Sequence, residues 1–217
     1  MKLTNLQKGD LLFQLRSGGE LEYAISRVFA GYNGMLLNHV AVYCGEEKVV
    51  EATMPQVRCI SPEQFLQHSV LDTSGRHCVV HARLLPEYQH LNEKAVEFIL
   101  EQLDKPYDCH YMSKEKASRE KSWYCSELIL EAWRFANHGR FVFPQIPMGF
   151  RDMETNELLP YWVQHYNKAR KPIPEGESGS HPALLSCSEK IDIISVMGQL
   201  PSRVNSLINQ EPPLQIV

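Results

Sequence analysis

The sequence lacks the features that define several large classes of protein. No apolar run approaches the roughly 20 residues that a membrane-spanning helix needs, and Met1–Asp10 contain no apolar core of a signal peptide. The formal net charge is only -4, so the chain has no excess of positive charge for nucleic acid or an anionic membrane. We therefore predict no nucleic-acid partner and no integral membrane segment. The cytoplasm is the expected location, with a removed leader as the alternative.

The sequence also lacks a Cys-x-x-Cys pair and any internal repeat. Its cysteines are scattered, at Cys44, Cys59, Cys78, Cys109, Cys125 and Cys187. In a chain of this size without a leader they are expected to be reduced. Two of them lie near histidines, as Cys78-x-x-His81 and Cys109-His110, but neither spacing matches a standard zinc-ligand pattern. We predict no metal and no other cofactor.

One cysteine occupies the first turn of a predicted amphipathic helix. Apolar or small residues recur with the spacing of a buried helical face, at Cys125, Leu128, Ile129, Ala132, Trp133 and Ala136. Gly139 indicates where this helix ends. A helix N-terminus carries partial positive charge and unpaired N–H groups, which favour a thiolate. Cys125 is therefore a candidate nucleophile, with a buried structural cysteine as the alternative.

Strand and helix patterns are mixed along the chain without regular βαβ alternation. Strands are predicted at 11–15, 38–43, 48–52, 57–60 and 78–85, and helices at 21–29, from 62, at 92–103 with Asn92 as cap, at 125–136 and at 158–166. This mixture predicts an α+β fold with an antiparallel sheet. We predict one domain, 1–195, and a C-terminal tail, 196–217. Residues 171–180 have the composition of a linker, with an ordered loop as the alternative.

Two polar residues lie inside apolar strand patterns. His39 and Glu51 are both poor candidates for burial without a partner. If the intervening loop is Cys44–Glu46, Tyr43 pairs with Glu47 and His39 pairs with Glu51 across a hairpin. Directly opposed residues share a face of the sheet, so this count predicts a His–Glu pair. A one-residue slip would send Glu51 to the other face.

Such a pair gives Cys125 the partners that a thiol nucleophile needs. The carboxylate of Glu51 would fix the tautomer of His39 and favour its imidazolium form. The imidazolium would in turn stabilise a Cys125 thiolate. A sheet histidine with no role in chemistry is the alternative for His39.

Five motifs in order resemble a known group of proteins. They are Gly9–Gln14, His39–Tyr43, Val50–Ala52, Lys105–Asp108 and Tyr124–Leu128. In this order the sequence resembles the YiiX/YebB-like group of permuted NlpC-type papain-like proteins, in which the histidine strand precedes the cysteine helix. The chain departs from the pattern at Asn38, where serine is expected, and at Asp104, where glycine is expected.

The resemblance implies a papain-like cysteine hydrolase of circularly permuted NlpC type, with an antiparallel sheet or barrel packed against the helix that bears the cysteine. It implies Cys125 as nucleophile, His39 as base and acid, and Glu51 as orienting residue. The expected chemistry is cleavage of an amide, or an ester, through a Cys-acyl thioester. Tyr107 and Tyr124 are candidate substrate-binding residues.

The sequence leaves the substrate open. A cell-wall peptide or small amide is the expectation from the family. The alternatives are a lipid amide or ester hydrolase or acyltransferase of the lecithin retinol acyltransferase-like type, and a non-catalytic binding module. The sequence makes no prediction of the oligomeric state.

Overall fold

A six-stranded antiparallel sheet forms the centre of the fold, in the order β4-β3-β2-β1-β5-β8. The structure is a computed structural model that describes residues 3–111 and 122–199. Its strands are β1 Leu11–Gln14, β2 His39–Gly45, β3 Lys48–Ala52, β4 Val57–Ile60, β5 Val79–Leu84, β6 Ile146–Pro147, β7 Ser178–Gly179 and β8 Ile191–Met197. The short strands β6 and β7 form a separate two-stranded ribbon. The predicted α+β fold with an antiparallel sheet is confirmed.

Helices lie on both sides of this sheet. They are α1 Glu20–Ser26, α2 Pro62–Gln67, α3 Pro86–Gln89, α4 Asn92–Leu100, α5 Cys125–Ala136, α6 Pro160–Ala169 and α7 Pro182–Leu185, with a 3-10 turn at Tyr32–Gly34. No helix in the described ranges is long and apolar enough to cross a membrane.

Alternating residues of the central strands pack against different helices. Phe13, Val40 and Val42 belong to the larger core, which also contains Leu128 and Trp133 of α5. The intervening positions face a smaller core, in which Leu12, Ala41 and Val49 meet Phe65 and Leu66 of α2. Because both faces are covered, β1 is buried along its whole length and β2 is buried up to Cys44.

The hairpin register differs from the prediction by two residues. Tyr43 pairs with Val49 and Val42 pairs with Val50, while Gly45 pairs with Lys48 across a bulge. Glu46 and Glu47 form the tip, and both have positive φ. The predicted Tyr43–Glu47 and His39–Glu51 pairings are therefore wrong, because the turn lies at Glu46 and Glu47 rather than at Cys44–Glu46, and the bulge between Tyr43 and Gly45 leaves a net shift of two residues. A shift of two residues keeps every side chain on its predicted face.

Helix α5 begins at Cys125, as the apolar pattern predicts. Its inward face is buried from Leu128 to Ala136, and it packs against β2 and β3. The chain leaves the helix through His138 and Gly139, which both have positive φ. The predicted first-turn position of Cys125 and the stop at Gly139 are confirmed.

Two local predictions need correction. Asn92 is the first residue of α4, and the cap residue is Leu91 instead. The side chain of Asn92 donates to the Lys8 carbonyl and accepts from Trp133 Nε1. These bonds join α4 to the segment before β1 and to α5. The helix also ends at Leu100, earlier than predicted.

The segment 171–180 is an ordered loop rather than a linker. It contains β7, which pairs with β6, and the N–H of Met148 donates to the Glu177 carbonyl. The predicted domain end at residue 195 falls inside β8, and most of the predicted tail lies outside the described residues. The charged connector 114–121 also lies outside them.

Candidate active site

Cys125 is the first residue of α5, directly after the extended cap residue Tyr124. Its own N–H has no acceptor within the helix because it belongs to the first turn. The N–H groups of Val40 and Ser126 lie close enough to the thiol to lower its pKa. Cys125 is only 4% exposed. The nucleophile candidate therefore lies where α5 meets the start of β2, among several backbone donors.

His39 and Glu51 form a buried hydrogen bond in spite of the shifted register. His39 Nε2 lies 2.6 Å from Glu51 Oε2. The observed register continues to place Ala41 opposite Glu51, so His39 and Glu51 are diagonal neighbours on the same face. Long side chains reach across such a diagonal. The predicted proximity is therefore present, although the residues are not directly opposed.

Two arginines surround the same carboxylate. Arg58 lies opposite Glu51 in the β3–β4 register, and its Nε and Nη2 lie 2.8 and 2.7 Å from Glu51 Oε1. Arg16 Nη1 lies 3.6 Å from Glu51 Oε2. Neither arginine was predicted from the sequence. Pairing the predicted strand 57–60 with β3 would have found Arg58, whereas Arg16 comes from the loop after β1 and is placed by the tertiary fold.

The protonation states differ from the predicted ion pair. Burial raises the pKa of Cys125 to about 11, although the N–H groups of Val40 and Ser126 and the charge of Arg16 oppose this. Burial also lowers the pKa of His39, and Glu51 only partly offsets it. The expectation of a resting thiolate and imidazolium is therefore wrong, because the site is too dry for the helix N-terminus to hold the charge.

Glu51 remains ionised in this environment. Burial alone would raise its pKa, but His39 and the two arginines lower it to about 2. The resting site therefore combines a thiol, a neutral imidazole and a carboxylate. The Nδ1 atom of His39 has no hydrogen-bond partner among the residues that the structure describes, and no hydrogen bond there joins His39 to Cys125.

An aromatic cavity of about 20 Å³ reaches Cys125 and Ser126. This is room for about one water molecule. Its walls include both predicted substrate-binding tyrosines, Tyr107 and Tyr124, together with Tyr111, Phe150 and Trp162. The hydroxyls of Tyr107 and Tyr111 lie 3.1 Å apart, and the Tyr124 hydroxyl accepts from the Ser180 N–H at 3.1 Å. Burial raises the pKa of each of these three tyrosines, so their hydroxyls stay neutral.

Comparison with known proteins assigns the family. Residues 5–190 match a family described as permuted papain-like amidase enzymes, the YaeF/YiiX, C92 family. The chain belongs to this family of permuted papain-like amidases. The amidase is therefore a cysteine hydrolase, and the predicted resemblance is confirmed. No curated protein matches it.

A solved structure supports the fold of the amidase. The crystal structure of YiiX from Escherichia coli O157:H7, whose title describes it as a metalloprotein, matches with a TM-score of 0.64 and 21% identity. The match covers 90% of the amidase and 98% of the YiiX chain. At this level of identity the likeness shows the shared fold.

Other polar residues of the amidase are buried near the sheet. His81 lies 2.7 Å from Asp10, and His181 is enclosed between the Ile25 carbonyl and the Ala183 N–H. Gln14 pairs with His39 in the β1–β2 register, is fully buried, and has no hydrogen-bond partner for either amide atom among the described residues. Gln14 ends the Gly9–Gln14 motif without a role assigned to it from the sequence, and His181 stands in none of the five motifs.

Proposed function

We propose that the amidase hydrolyses an amide through a Cys125 thioester. His39 Nδ1 takes the thiol proton as Cys125 Sγ bonds to the substrate carbonyl carbon. The tetrahedral oxyanion accepts from the Cys125 N–H at the start of α5. His39 then gives the proton to the leaving amine as the C–N bond breaks. It next takes a proton from water, whose oxygen attacks the thioester, and returns that proton to the sulfur as the acid leaves.

The hydrogen bond between His39 Nε2 and Glu51 carries this proposal. When Nε2 donates to Glu51, the neutral ring has its lone pair on Nδ1. That atom has no partner in the described structure, and the next residue, Val40, has its N–H at the Cys125 thiol. The start of β2 thus brings the backbone next to the proposed base to the nucleophile. This is the order of groups that a cysteine hydrolase needs.

The shifted pKa values support proton transfer during attack rather than a preformed ion pair. With the pKa of Cys125 raised to about 11, little thiolate exists at neutral pH. The charge pair would form only as the carbonyl is attacked, when Glu51 and the N-terminus of α5 stabilise it. We expect kcat/KM to fall on acidification only below the usual pKa range of histidine, because the pKa of His39 is lowered. We also expect no rise in kcat/KM near pH 7 from ionisation of the thiol.

We propose a small peptide-like amide as the substrate, in keeping with the family. A second candidate, an amide or ester of a longer apolar acyl chain with water or another acceptor, is favoured by one observation. The cavity beside Cys125 is lined mainly by aromatic and aliphatic side chains. Because the cavity has a volume of only about 20 Å³, its walls would have to move apart for an apolar acyl group to bury its surface there. The cytoplasmic location stays a prediction from the sequence.

A panel of fluorogenic amides tests the reaction and separates the two substrate classes. We would measure kcat/KM for aminomethylcoumarin amides of short N-acetylated amino acids and of acetic, octanoic and dodecanoic acid, with the matching esters. Cleavage of the amino-acid amides supports the first candidate, and preference for the longer fatty chains supports the second. Cys125→Ala should abolish either activity, while Cys59→Ser, at an exposed cysteine, should not.

Labelling identifies the reactive thiol independently of the substrate. Exposed cysteines also react, so modification by a thiol-directed electrophile would be read at each cysteine by mass spectrometry. We expect a substrate-like acyl electrophile to form an adduct with Cys125 in the wild type. This adduct should be lost in His39→Ala. Equal labelling of Cys125 in wild type and His39→Ala would contradict the role of His39 as base.

A further inference from the structure

Three potential metal ligands meet at one place outside the proposed site. Cys109 and His110 lie in a turn, and His165 lies on α6. One ligand atom from each residue lies within 4.8 Å of the other two. Cys109 Sγ and His110 Nδ1 are 3.4 Å apart, and the rings of His110 and His165 have centroids 5.4 Å apart. The cluster joins two segments that are distant in sequence.

One of the three distances between ligand atoms matches a tetrahedral transition-metal site, and the other two are at most 4.8 Å. With metal–sulfur and metal–nitrogen bonds of about 2.3 and 2.0–2.1 Å, two ligands of a tetrahedron lie about 3.3–3.6 Å apart. The observed distance between Cys109 Sγ and His110 Nδ1 falls in this range. The remaining ligand atom, from His165, needs a shift of no more than about 1.5 Å to complete the triangle.

Neighbouring contacts hold the ligands in place. The Tyr166 hydroxyl donates to the His110 carbonyl at 2.5 Å, which fixes the turn against α6. Asp108 Oδ1 accepts from the His110 N–H at 2.9 Å. Tyr161 stacks on His165 with an interplanar angle of 19°. Such supporting contacts orient the ligands of protein metal sites.

One ring nitrogen of His165 lacks a hydrogen-bond partner within the described part of the chain. His165 Nε2 is enclosed from solvent and has no hydrogen-bond partner among the described residues. A buried ring nitrogen without a partner is costly unless something binds it. The ring nitrogen of a neutral imidazole and a thiolate are the ligands that zinc prefers.

We propose that Cys109, His110 and His165 bind one zinc-class divalent cation, with water as the fourth ligand. All three residues are half-buried, so one side of the site is open to solvent. One thiolate and two neutral imidazoles leave a net charge of +1 on the complex. The cation would replace the thiol proton, which leaves to solvent on binding.

The proposed site links two walls of the cavity beside Cys125. The turn with Cys109 and His110 lies between Tyr107 and Tyr111, and α6 carries Trp162. Bound metal would hold these aromatic side chains together. The inference stands apart from the proposed function, because it does not require Cys125 to act.

Metal binding would be measured in the full chain carrying Cys125→Ala, so that the proposed nucleophile cannot itself bind zinc. Untagged protein would be equilibrated with chelator-buffered Zn²⁺ and its metal content measured by mass spectrometry. We expect one equivalent of zinc. Cys109→Ser and His165→Gln should each lower the affinity at least about tenfold. The matched variants Cys187→Ser and His90→Gln, at exposed positions, should bind as the parent does.

A second readout reports the thiolate ligand directly. Co²⁺ should give thiolate-to-cobalt charge-transfer absorption and the visible bands of a tetrahedral site, both lost in Cys109→Ser. Zinc at about 100 times its dissociation constant should raise Tm by about 5–10 °C, an effect absent from His165→Gln. Circular dichroism would verify that the variants fold. Failure to bind stoichiometric zinc, or its retention by folded Cys109→Ser and His165→Gln, would overturn the proposal.

Discussion

At the scale of single residues, Glu51 connects the proposed base to the rest of the sheet. One of its oxygens meets His39, and the other accepts from Arg58 on the neighbouring strand. Arg16 approaches from the loop after β1. These partners hold the pKa of Glu51 at about 2 against the effect of burial. One carboxylate thus orients the imidazole and compensates two partly buried guanidinium groups.

Replacing this carboxylate should impair both activity and stability. In Glu51→Gln the side chain keeps its shape but loses the charge that holds the His39 tautomer, so we expect kcat/KM to fall by about 100-fold or more. The arginines lose their counter-charge, which should cost about 3 kcal/mol in urea unfolding. Glu47→Gln at the hairpin tip is the matched control. Unchanged kcat/KM in Glu51→Gln would remove this residue from the proposed triad.

Replacing Gln14 should change stability and activity in opposite directions. It is buried across from His39, and neither of its amide atoms has a partner in the described ranges. Gln14→Met keeps the volume and removes two unsatisfied polar atoms, so we expect stability to rise by about 1–2 kcal/mol. If the amide serves the site, kcat/KM should drop about tenfold.

Leu12→Met, two positions earlier on the same face of β1, is the control for Gln14→Met and should change both quantities little. Urea unfolding and kcat/KM would be measured on all three proteins. Lower stability of Gln14→Met would show that the amide is hydrogen-bonded in solution, contrary to the prediction.

At the scale of elements, the β6–β7 ribbon shapes the cavity beside Cys125. Its strand β7 contains Gly179, where a Cβ atom would lie 2.4 Å from Met148 Sδ and 3.0 Å from the Tyr124 hydroxyl. Tyr124 immediately precedes Cys125. The close approach of β7 to the start of α5 therefore depends on a residue without a side chain.

Adding a methyl group at this position should disturb the site more than the fold. In Gly179→Ala, Met148 can bend away, but Tyr124 is held by Ser180 and would shift with the start of α5. We expect kcat/KM to fall by about 10- to 100-fold, with a loss of about 1 kcal/mol in stability. Gly19→Ala is the control, because a Cβ there meets nothing within 4 Å and its backbone φ is -87°. Full activity of Gly179→Ala would show that the ribbon does not position Tyr124.

At the scale of the whole molecule, buried neutral histidines make the fold sensitive to acid. Burial lowers the pKa of His181 to about 4, and it also lowers the pKa of His39. The unfolded chain binds these protons near pH 6.5, whereas the folded protein does not. Between those values the unfolded state binds more protons, so stability falls as pH falls. Glu51 adds a second loss below about pH 4.5, where the unfolded carboxylate becomes protonated.

We expect His181 alone to account for a loss of about 3 kcal/mol between pH 6.5 and pH 4. His181→Gln can still donate to the Ile25 carbonyl and accept from the Ala183 N–H. It should be less stable at pH 7, yet lose less stability on acidification, when urea unfolding is measured across this range. The exposed His90→Gln should follow the wild-type curve. A wild-type slope in His181→Gln would exclude this residue as the source.

Sequence alone predicted what depends on short-range periodicity. The 3.6-residue spacing after Cys125 predicted α5 and its first residue, and the antiparallel sheet followed from the mixed pattern of strands. The two-residue period of β2 and β3 put His39 and Glu51 on one face. That prediction is correct although the predicted register is wrong. The register error is two residues, and only an odd shift moves a side chain to the other face of the sheet.

Only the tertiary structure determined what depends on distant contacts and on the exclusion of water. Arg16, Gln14 and the aromatic walls of the cavity come from separate segments that no local pattern brings together. The protonation states were also decided there, because the cost of burying a thiolate depends on all the atoms that displace water around Cys125. Periodicity is a property of residues that are close in the sequence, whereas desolvation is a property of the assembled fold.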